Sequence, residues 1–224
     1  MAHIKTKRDR VKFASDNVTG ACPEVLDAIL KANDGDRTPY GNDEISKSLQ
    51  DKFSEIFEKE VVIFPTSSGT AANALALSTM TPSFGNIYCH KLSHINVDEC
   101  GAPEFYTGGA KLVTLKGIDG KITAEELNKS ISGKGIVHHT QPSSVSITQL
   151  CETGEAYKLD EIKKISEIAH NHKLNVHMDG ARFANALVSL SCSPAEMTWK
   201  SGIDVLSFGA TKNGCFAAEA IIFF

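Results

Sequence analysis

The fold is most clearly indicated by residues 174–182, which read LNVHMDGAR. The first five form an apolar run of strand length that ends on Asp179, and the helical pattern at 160–172 before them places three isoleucines on one side. Apolar runs alternate with helical patterns along the rest of the chain as well. This alternation is typical of an α/β fold with a largely parallel sheet.

Further helices are predicted where a start signal precedes a periodic apolar pattern. Pro23 suits the first turn of a helix, Thr123 and Glu126 have the spacing of a capping box, and every fourth residue from Ile45 to Phe57 is apolar and forms a buried stripe. The predicted helices span 23–32, 43–58, 71–78, 123–131, 160–172 and a short segment from 193. Extended segments are predicted at 61–64, 86–90, 136–139, 145–148, 174–178, 204–208 and 218–224.

The chain is predicted to form one large domain over residues 13–224, preceded by a basic arm at 1–12, because no repeat or flexible linker divides it. It ends on the apolar run 220–224 without a polar cap. An exposed run of this kind needs a segment that covers it. We therefore expect a chain that is truncated at its C-terminus.

Composition limits the classes of function. The 224 residues carry a net charge of −4 and are 42% hydrophobic, which is ordinary for a soluble globular protein and gives no indication of a nucleic-acid or membrane partner. No stretch approaches the roughly 18–20 apolar residues of a membrane-spanning helix, and no apolar segment of a secretory signal follows the basic N-terminus. The six cysteines lack C-x-x-C pairing, which is typical of reduced thiols in a cytoplasmic protein and disfavours a metal site.

Polar residues follow three of the predicted strands or strand-like runs, at 67–70 (SSGT), 179–182 (DGAR) and 209–214 (GATKNG). Ligands of open α/β sheets bind outside the carboxyl ends of the strands, so these segments are expected to share a site. Each has an ordinary alternative. The first could be a simple helix cap, the second a buried Asp–Arg ion pair or a cap, and the third an exposed turn with a lysine.

Their combination indicates a more specific chemistry. The turn at 67–70 leads into a helix whose N–H groups and dipole could hold a phosphate, although it is not a P-loop. Asp179 could pair with a cationic ring nitrogen, and Arg182 could hold an anionic oxygen with its bidentate fork. Lys212 could act as an amine nucleophile. A phosphate-binding turn, a carboxylate and an amine are the parts that a pyridoxal-phosphate (PLP) site requires.

Six stretches resemble the low-specificity L-threonine aldolases, particularly their bacterial phenylserine-active branch. They are FASDN at 13–17, YGND at 40–43, GTAAN at 69–73, His94 with DECGAPE at 98–104, HMDGARF at 177–183 and GATKNG at 209–214. The resemblance runs from about Phe13 to the last residue. It implies the large domain of a fold type I PLP-dependent enzyme, a mostly parallel sheet flanked by helices, without the small C-terminal domain in which the family's chains continue.

The resemblance also implies roles at the cofactor. Lys212 would bind PLP covalently, Asp179 would pair with the pyridine nitrogen, and His94 would stack on the ring. The phosphate would be held mainly by backbone N–H groups of the helix-starting turn. The implied cofactor contacts are Ser68, Gly69, Thr70, His94, Asp179, Arg182, Thr211 and Lys212.

On the substrate side, the resemblance implies that His94 acts as a base on the substrate hydroxyl, although its local pattern alone would suit a helix-start residue. Arg182 would hold the cofactor's phenolate side or the substrate carboxylate, which Ser15 would also touch. Tyr40 would line the site from a neighbouring subunit. The other histidines, His177 among them, are expected to be structural or to face solvent.

The resemblance implies retro-aldol cleavage of L-threonine, L-allo-threonine or related β-hydroxy-α-amino acids, such as phenylserine, to glycine and an aldehyde, by a homodimer or homotetramer. A β-eliminating lyase, an aminotransferase or a racemase would use the same lysine and aspartate. An inactive truncated fragment is a further alternative. A Rossmann dehydrogenase is disfavoured, because no G-x-G-x-x-G follows an early strand.

Overall fold

The computed structural model describes residues 15–18 and 20–224, and the predicted basic arm at 1–12 lies outside them. The described chain contains one sheet of seven strands in the order β1-β7-β6-β5-β4-β2-β3. The strands are β1 (Val62–Thr66), β2 (Gly85–His90), β3 (Lys111–Leu115), β4 (Gln141–Thr148), β5 (Asn175–Gly180), β6 (Val205–Gly209) and β7 (Glu219–Phe223). Only β7 runs against the others, since it pairs antiparallel with both β1 and β6.

Nine α-helices accompany this sheet in the described residues. They are α1 (Pro23–Ala32), α2 (Glu44–Ile56), α3 (Gly69–Met80), α4 (His94–Val97), α5 (Ala102–Tyr106), α6 (Ala124–Ser130), α7 (Leu159–Asn171), α8 (Phe183–Leu190) and α9 (Pro194–Met197). Short 3-10 turns lie at Asp16–Val18, Trp199–Ser201 and Thr211–Asn213. None of the described helices combines the length and apolarity needed to cross a membrane.

The two faces of the sheet bury alternate residues of the same strands. On one face, Ile162 and Ile165 of α7 pack with Met178 of β5 and Leu206 of β6 in the largest apolar cluster. On the other face, alanines of α3 pack against Val205. Side chains alternate along a strand, so Asp179, one residue after Met178, faces α3 rather than α7.

Most predicted elements are confirmed, with two corrections. Residues 136–139 form a turn rather than a strand, because Gly133 and Gly135 adopt positive φ and the side-chain amide of Gln141 donates to the carbonyls of Gly133, Ile136 and His139. The predicted strand at 61–64 is an edge strand that begins at Val62, and Val62 is 50% exposed rather than buried. Strand β3 and helices α5 and α8 have no counterpart among the predicted elements.

Two predicted helix details are refined. Helix α2 is capped by Asp43, whose side chain accepts from the N–H of Ser46. Of its predicted apolar stripe, Phe57 at the C-terminal end is buried, whereas Ile45 at the start is exposed. Thr123 caps α6 as predicted by accepting from the N–H of Glu126. The carboxylate of Glu126 does not complete the capping box, since it accepts from the N–H groups after β3, at residues 116 and 117.

Candidate active site

A cavity of about 450 Å³ lies at the edge of the sheet where the parallel strands end. It is lined by residues that follow β1, β2, β4, β5 and β6, together with the segment 15–17 and the start of β7. The carboxyl ends of parallel strands meet at one edge, which explains why segments far apart in sequence converge here. The cavity contains nearly all the predicted site residues, namely Ser15, Ser68, Gly69, Thr70, His94, Asp179, Arg182, Thr211 and Lys212.

The N-terminus of α3 forms one wall of the cavity. Ser68 caps this helix, and its Oγ accepts from the N–H of Ala71 at 3.2 Å. The N–H groups of Gly69 and Thr70 belong to the first turn, where a helix offers no internal acceptor. Gly69 has no Cβ, and a Cβ placed there would meet only the Glu219 carboxylate, at 3.8 Å. This wall therefore suits an anion such as a phosphate.

Glu219 is a neighbour of this wall that sequence reasoning did not identify. One of its carboxylate oxygens lies 3.0 Å from the Cβ position of Gly209 and 3.8 Å from that of Gly69. Burial raises the pKa of Glu219. This direction weakens the tendency of Glu219 to ionise beside the wall that suits an anion.

Asp179 is the penultimate residue of β5 and is only 4% exposed. Its Oδ2 accepts from Asn73 Nδ2 at 3.0 Å, and its Oδ1 accepts from the N–H of Ala181 at 3.1 Å. Asp179 does not form the alternative ion pair with Arg182, which pairs with Asp16. Two donors therefore fix a carboxylate at the bottom of the cavity, in the place where a cationic ring nitrogen could meet it.

His94 begins the short helix α4 after β2. Its Nδ1 lies 2.9 Å from Glu99 Oε1, and its backbone N–H donates to Glu152 at 2.8 Å. Glu99 Oε1 also accepts from Asn73 Nδ2 at 2.8 Å. The side chain of Glu99 is fully buried, whereas that of His94 is 41% exposed. Asn73 thus joins the acid beside His94 to Asp179.

Arg182 forms its ion pair with Asp16 instead. Its Nε and Nη2 donate to the two carboxylate oxygens of Asp16 at 2.5 and 3.2 Å. Burial alone would raise the pKa of Asp16, but the hydrogen bonds and charge of Arg182 lower it overall. Asp16 belongs to the FASDN stretch, yet no role was predicted for it.

Lys212 lies in the 3-10 turn between β6 and β7 and is half-buried rather than fully exposed. Thr211 Oγ1 accepts from the N–H of Ala218 at 3.2 Å, and the N–H of Ala210 donates to the Ala218 carbonyl at 2.9 Å. These bonds close the turn and hold the lysine at the cavity.

Tyr40 is the one predicted site residue that does not line this cavity, and it is 97% exposed. Its predicted contact from a neighbouring subunit is not tested by a single chain. His177 is structural as predicted, because it lies fully buried between Ser146 and Ser207 at 2.9 and 2.8 Å. No group of three or more His, Cys, Asp or Glu residues in the described part is arranged to hold a metal ion.

Several neighbours of the predicted site residues escaped sequence reasoning, and two of them, Asn73 and Glu99, lie inside the motif stretches. Asn73 is a polar residue on a helix that otherwise buries alanine and leucine, and it is 2% exposed. A buried amide on such a helix needs hydrogen-bond partners, so the position of Asn73 in an apolar helical pattern could have indicated its role from the sequence. Glu99 and Glu152 carried no comparable signal, because each meets its partner at the cavity only through tertiary contacts, to Asn73 26 residues away and to His94 58 residues away.

Comparisons with known proteins agree with this geometry. The family model described as beta-eliminating lyase matches residues 12–224. The chain is 46% identical over 213 residues to the low specificity L-threonine aldolase of Pseudomonas sp. (strain NCIMB 10558), covering 95% of this chain and 62% of that protein. The corresponding protein of Pseudomonas aeruginosa is 43% identical with the same coverage. The chain therefore spans about 62% of the length of these relatives.

Among solved structures, Leishmania major threonine aldolase matches with a TM-score of 0.86 and 29% identity, over 93% of this chain and 61% of that one. The predicted resemblance to low-specificity threonine aldolases is confirmed by these similarities. The predicted fold, a mostly parallel sheet flanked by helices, is confirmed by the strand pairing and by this likeness.

Proposed function

This chain belongs to the beta-eliminating lyase family, and we propose that it forms the cofactor-binding part of a PLP-dependent threonine aldolase. The reaction is retro-aldol cleavage of L-threonine, L-allo-threonine or a related β-hydroxy-α-amino acid, such as phenylserine, to glycine and an aldehyde. The observation that carries the proposal is the meeting of Lys212, Asp179, His94 and the N-terminus of α3 in one cavity.

The donors around the cavity fit PLP. Ser68, Gly69 and Thr70 would hold its phosphate through the helix N-terminus. Asp179 would pair with the pyridine nitrogen, and Lys212 would bind the cofactor covalently. When bound, the cofactor supplies an electron sink for the carbanion that bond cleavage leaves on the substrate.

The chain's own residues then orient the substrate and move its proton. Arg182, already braced by Asp16, would hold the substrate carboxylate or the cofactor's phenolate side, with Ser15 beside it. A fixed carboxylate sets which bond of the substrate is aligned for cleavage. His94 would take the proton of the β-hydroxyl, directly or through water, as the carbon–carbon bond breaks.

We further propose that residues 13–224 form the large domain after a basic arm at 1–12, and that the protein is a cytoplasmic homodimer or homotetramer. All six cysteines are free thiols, which supports a reducing compartment. The side chain of Tyr40 is almost fully exposed and does not line the cavity of its own chain, which supports a contact with the site of a neighbouring subunit.

Other enzymes with the same cofactor are the main rivals, because a β-eliminating lyase, an aminotransferase or a racemase would use Lys212 and Asp179 equally. The aldolase proposal depends on His94 standing next to the substrate hydroxyl. The test is incubation of the PLP-loaded protein with L-threonine, and separately with alanine plus an oxo-acid. Glycine and acetaldehyde from threonine, absent with Lys212→Ala, are expected. Amino transfer from alanine without threonine cleavage would reject the proposal.

A further inference from the structure

We propose that Glu99 is a positioning residue that holds His94 in the tautomer protonated on Nδ1, so that the unprotonated Nε2 serves the cavity. The catalytic role of Nε2 rests on the proposed function. The tautomer of His94 depends only on contacts within this chain.

The hydrogen bond between His94 and Glu99 connects a half-exposed ring to a buried acid. Glu99 Oε1 lies 2.9 Å from Nδ1 of His94, and the side chain of Glu99 is fully buried while that of the histidine is 41% exposed. An ionised carboxylate can only accept, so the proton of this bond belongs to Nδ1 when Glu99 is ionised. The partner of one ring nitrogen decides the protonation of the other. The exposed side of the ring is therefore left with a basic Nε2.

Asn73 fixes the acid from behind. Its amide Nδ2 donates to Glu99 Oε1 at 2.8 Å and to Asp179 Oδ2 at 3.0 Å, which uses both hydrogens of that amide. The resulting chain runs from Asp179 through Asn73 and Glu99 to His94. Rotation of Glu99 would break two hydrogen bonds at once, so the acceptor that faces His94 is held in place.

The second oxygen of Glu99 supports a duty beyond packing. Among the described residues Oε2 of Glu99 has no hydrogen-bond partner, and neither does Oδ1 of Asn73. An unpaired buried oxygen costs free energy that an apolar residue would avoid. A role in holding His94 would explain why a buried acid is present here despite this cost in free energy.

The groups around His94 and Glu99 raise the pKa of both, in agreement with a strong hydrogen bond between them. The hydrogen bond to Glu99 raises the pKa of His94 and the charge of Asp179 adds to this effect, whereas burial and the charge of Lys212 oppose it. Burial raises the pKa of Glu99, and the hydrogen bonds from His94 and Asn73 partly offset the increase. Glu152, which accepts from the backbone N–H of His94, and Asp98, which donates its N–H to the His94 carbonyl, are further acids nearby. Both directions favour a proton held between His94 and Glu99.

The test is nitrogen NMR of the apoprotein with labelled histidine rings, with His94 assigned by the signals lost in His94→Gln. The wild-type spectrum at alkaline pH should show a protonated Nδ1 and an unprotonated Nε2. In Glu99→Gln the pKa of His94 should fall. Glu152→Gln is the matched control, because it removes a neighbouring charge without touching the ring, and its neutral tautomer should stay that of the wild type.

In the loaded enzyme Glu99→Gln should lower kcat by about tenfold to a hundredfold, the cost expected for a hydrogen bond to a charged group, with a smaller change in KM. Its pH–rate profile should shift to lower pH. A neutral wild-type His94 protonated on Nε2 would overturn the inference even if Glu99→Gln did not fold. An unchanged His94 titration in folded Glu99→Gln would also overturn it. If His94 shows the expected tautomer but the protein does not bind PLP, the proposed function is rejected and the inference about Glu99 stands.

Discussion

At the floor of the cavity, Glu99 and Asp179 are 4% exposed and share the side-chain amide of Asn73, whereas at the rim Asp16 and Arg182 pair in partial contact with solvent. Removing one partner from a buried charged network leaves a desolvated charge without compensation, which is strongly destabilising. An exposed pair contributes little, because water replaces the lost contact. The floor is therefore fixed by the fold itself, while the rim can adjust to a ligand. The predictions below compare the two regions, beginning with the largest expected effect.

Asp179→Asn removes the charge at the floor while preserving the size of the side chain. A neutral amide cannot stabilise a protonated ring nitrogen, so kcat/KM for threonine cleavage should fall on the order of 10²–10³-fold. Steady-state kinetics on protein of verified fold measures this. A loss smaller than that of Asp16→Asn would mean that the floor is not the centre of the chemistry.

His177, two residues before Asp179, should give the floor a pH-dependent stability. Burial lowers the pKa of His177 from 6.5 to about 4. The unfolded chain therefore binds a proton at mildly acidic pH that the folded protein excludes, and stability is lost as the pH falls from 6.5 to about 4. The loss should reach about 3 kcal/mol and be absent above pH 7.

Urea unfolding at a series of pH values checks this loss. The control is His177→Gln, which keeps polar atoms between Ser146 and Ser207 but does not titrate. The difference in unfolding free energy between the two proteins should change with pH only in the acidic range. Parallel curves for wild type and variant would show that His177 is not the group responsible.

Asn73→Ala tests the link within the floor. The substitution leaves Glu99 Oε1 and Asp179 Oδ2 without this donor, and we expect a loss of about 1–3 kcal/mol in unfolding free energy. The matched control is Asn17→Ala, because Asn17 also lines the cavity but lies on the exposed segment. Equal stability of Asn73→Ala and Asn17→Ala would contradict the idea that the floor is braced by the amide.

Asp16→Asn should have the smallest effect, because the rim pair is partly solvated. We expect a change of about 0–1 kcal/mol in unfolding free energy and a rise in KM of at most a few-fold, since Arg182 keeps its charge. Thermal unfolding and substrate titration measure the two quantities. A collapse of stability would show that the Asp16–Arg182 pair is a structural element rather than an adjustable rim.

The same contrast explains what could be predicted from the sequence. Local apolar patterns predict the strand that carries Asp179 and the turn with Lys212, and residue type predicts the cap at Ser68. The partners of these residues depend on tertiary packing. Arg182 meets Asp16, 166 residues away, rather than nearby Asp179. Glu99 is buried beside Asn73 of α3, 26 residues away in the chain. The turn at 136–139 was mistaken for a strand because its apolar residues outweighed the flanking glycines.

Lys212 gives the most direct test of the account. The apoprotein is incubated with an equimolar amount of PLP, reduced with borohydride, digested and mapped by mass spectrometry. The account predicts a phosphopyridoxyl group on Lys212, with little on exposed lysines such as Lys129, and loss of the adduct in Lys212→Ala. Modification spread evenly over surface lysines, with Lys212 unlabelled, would contradict it.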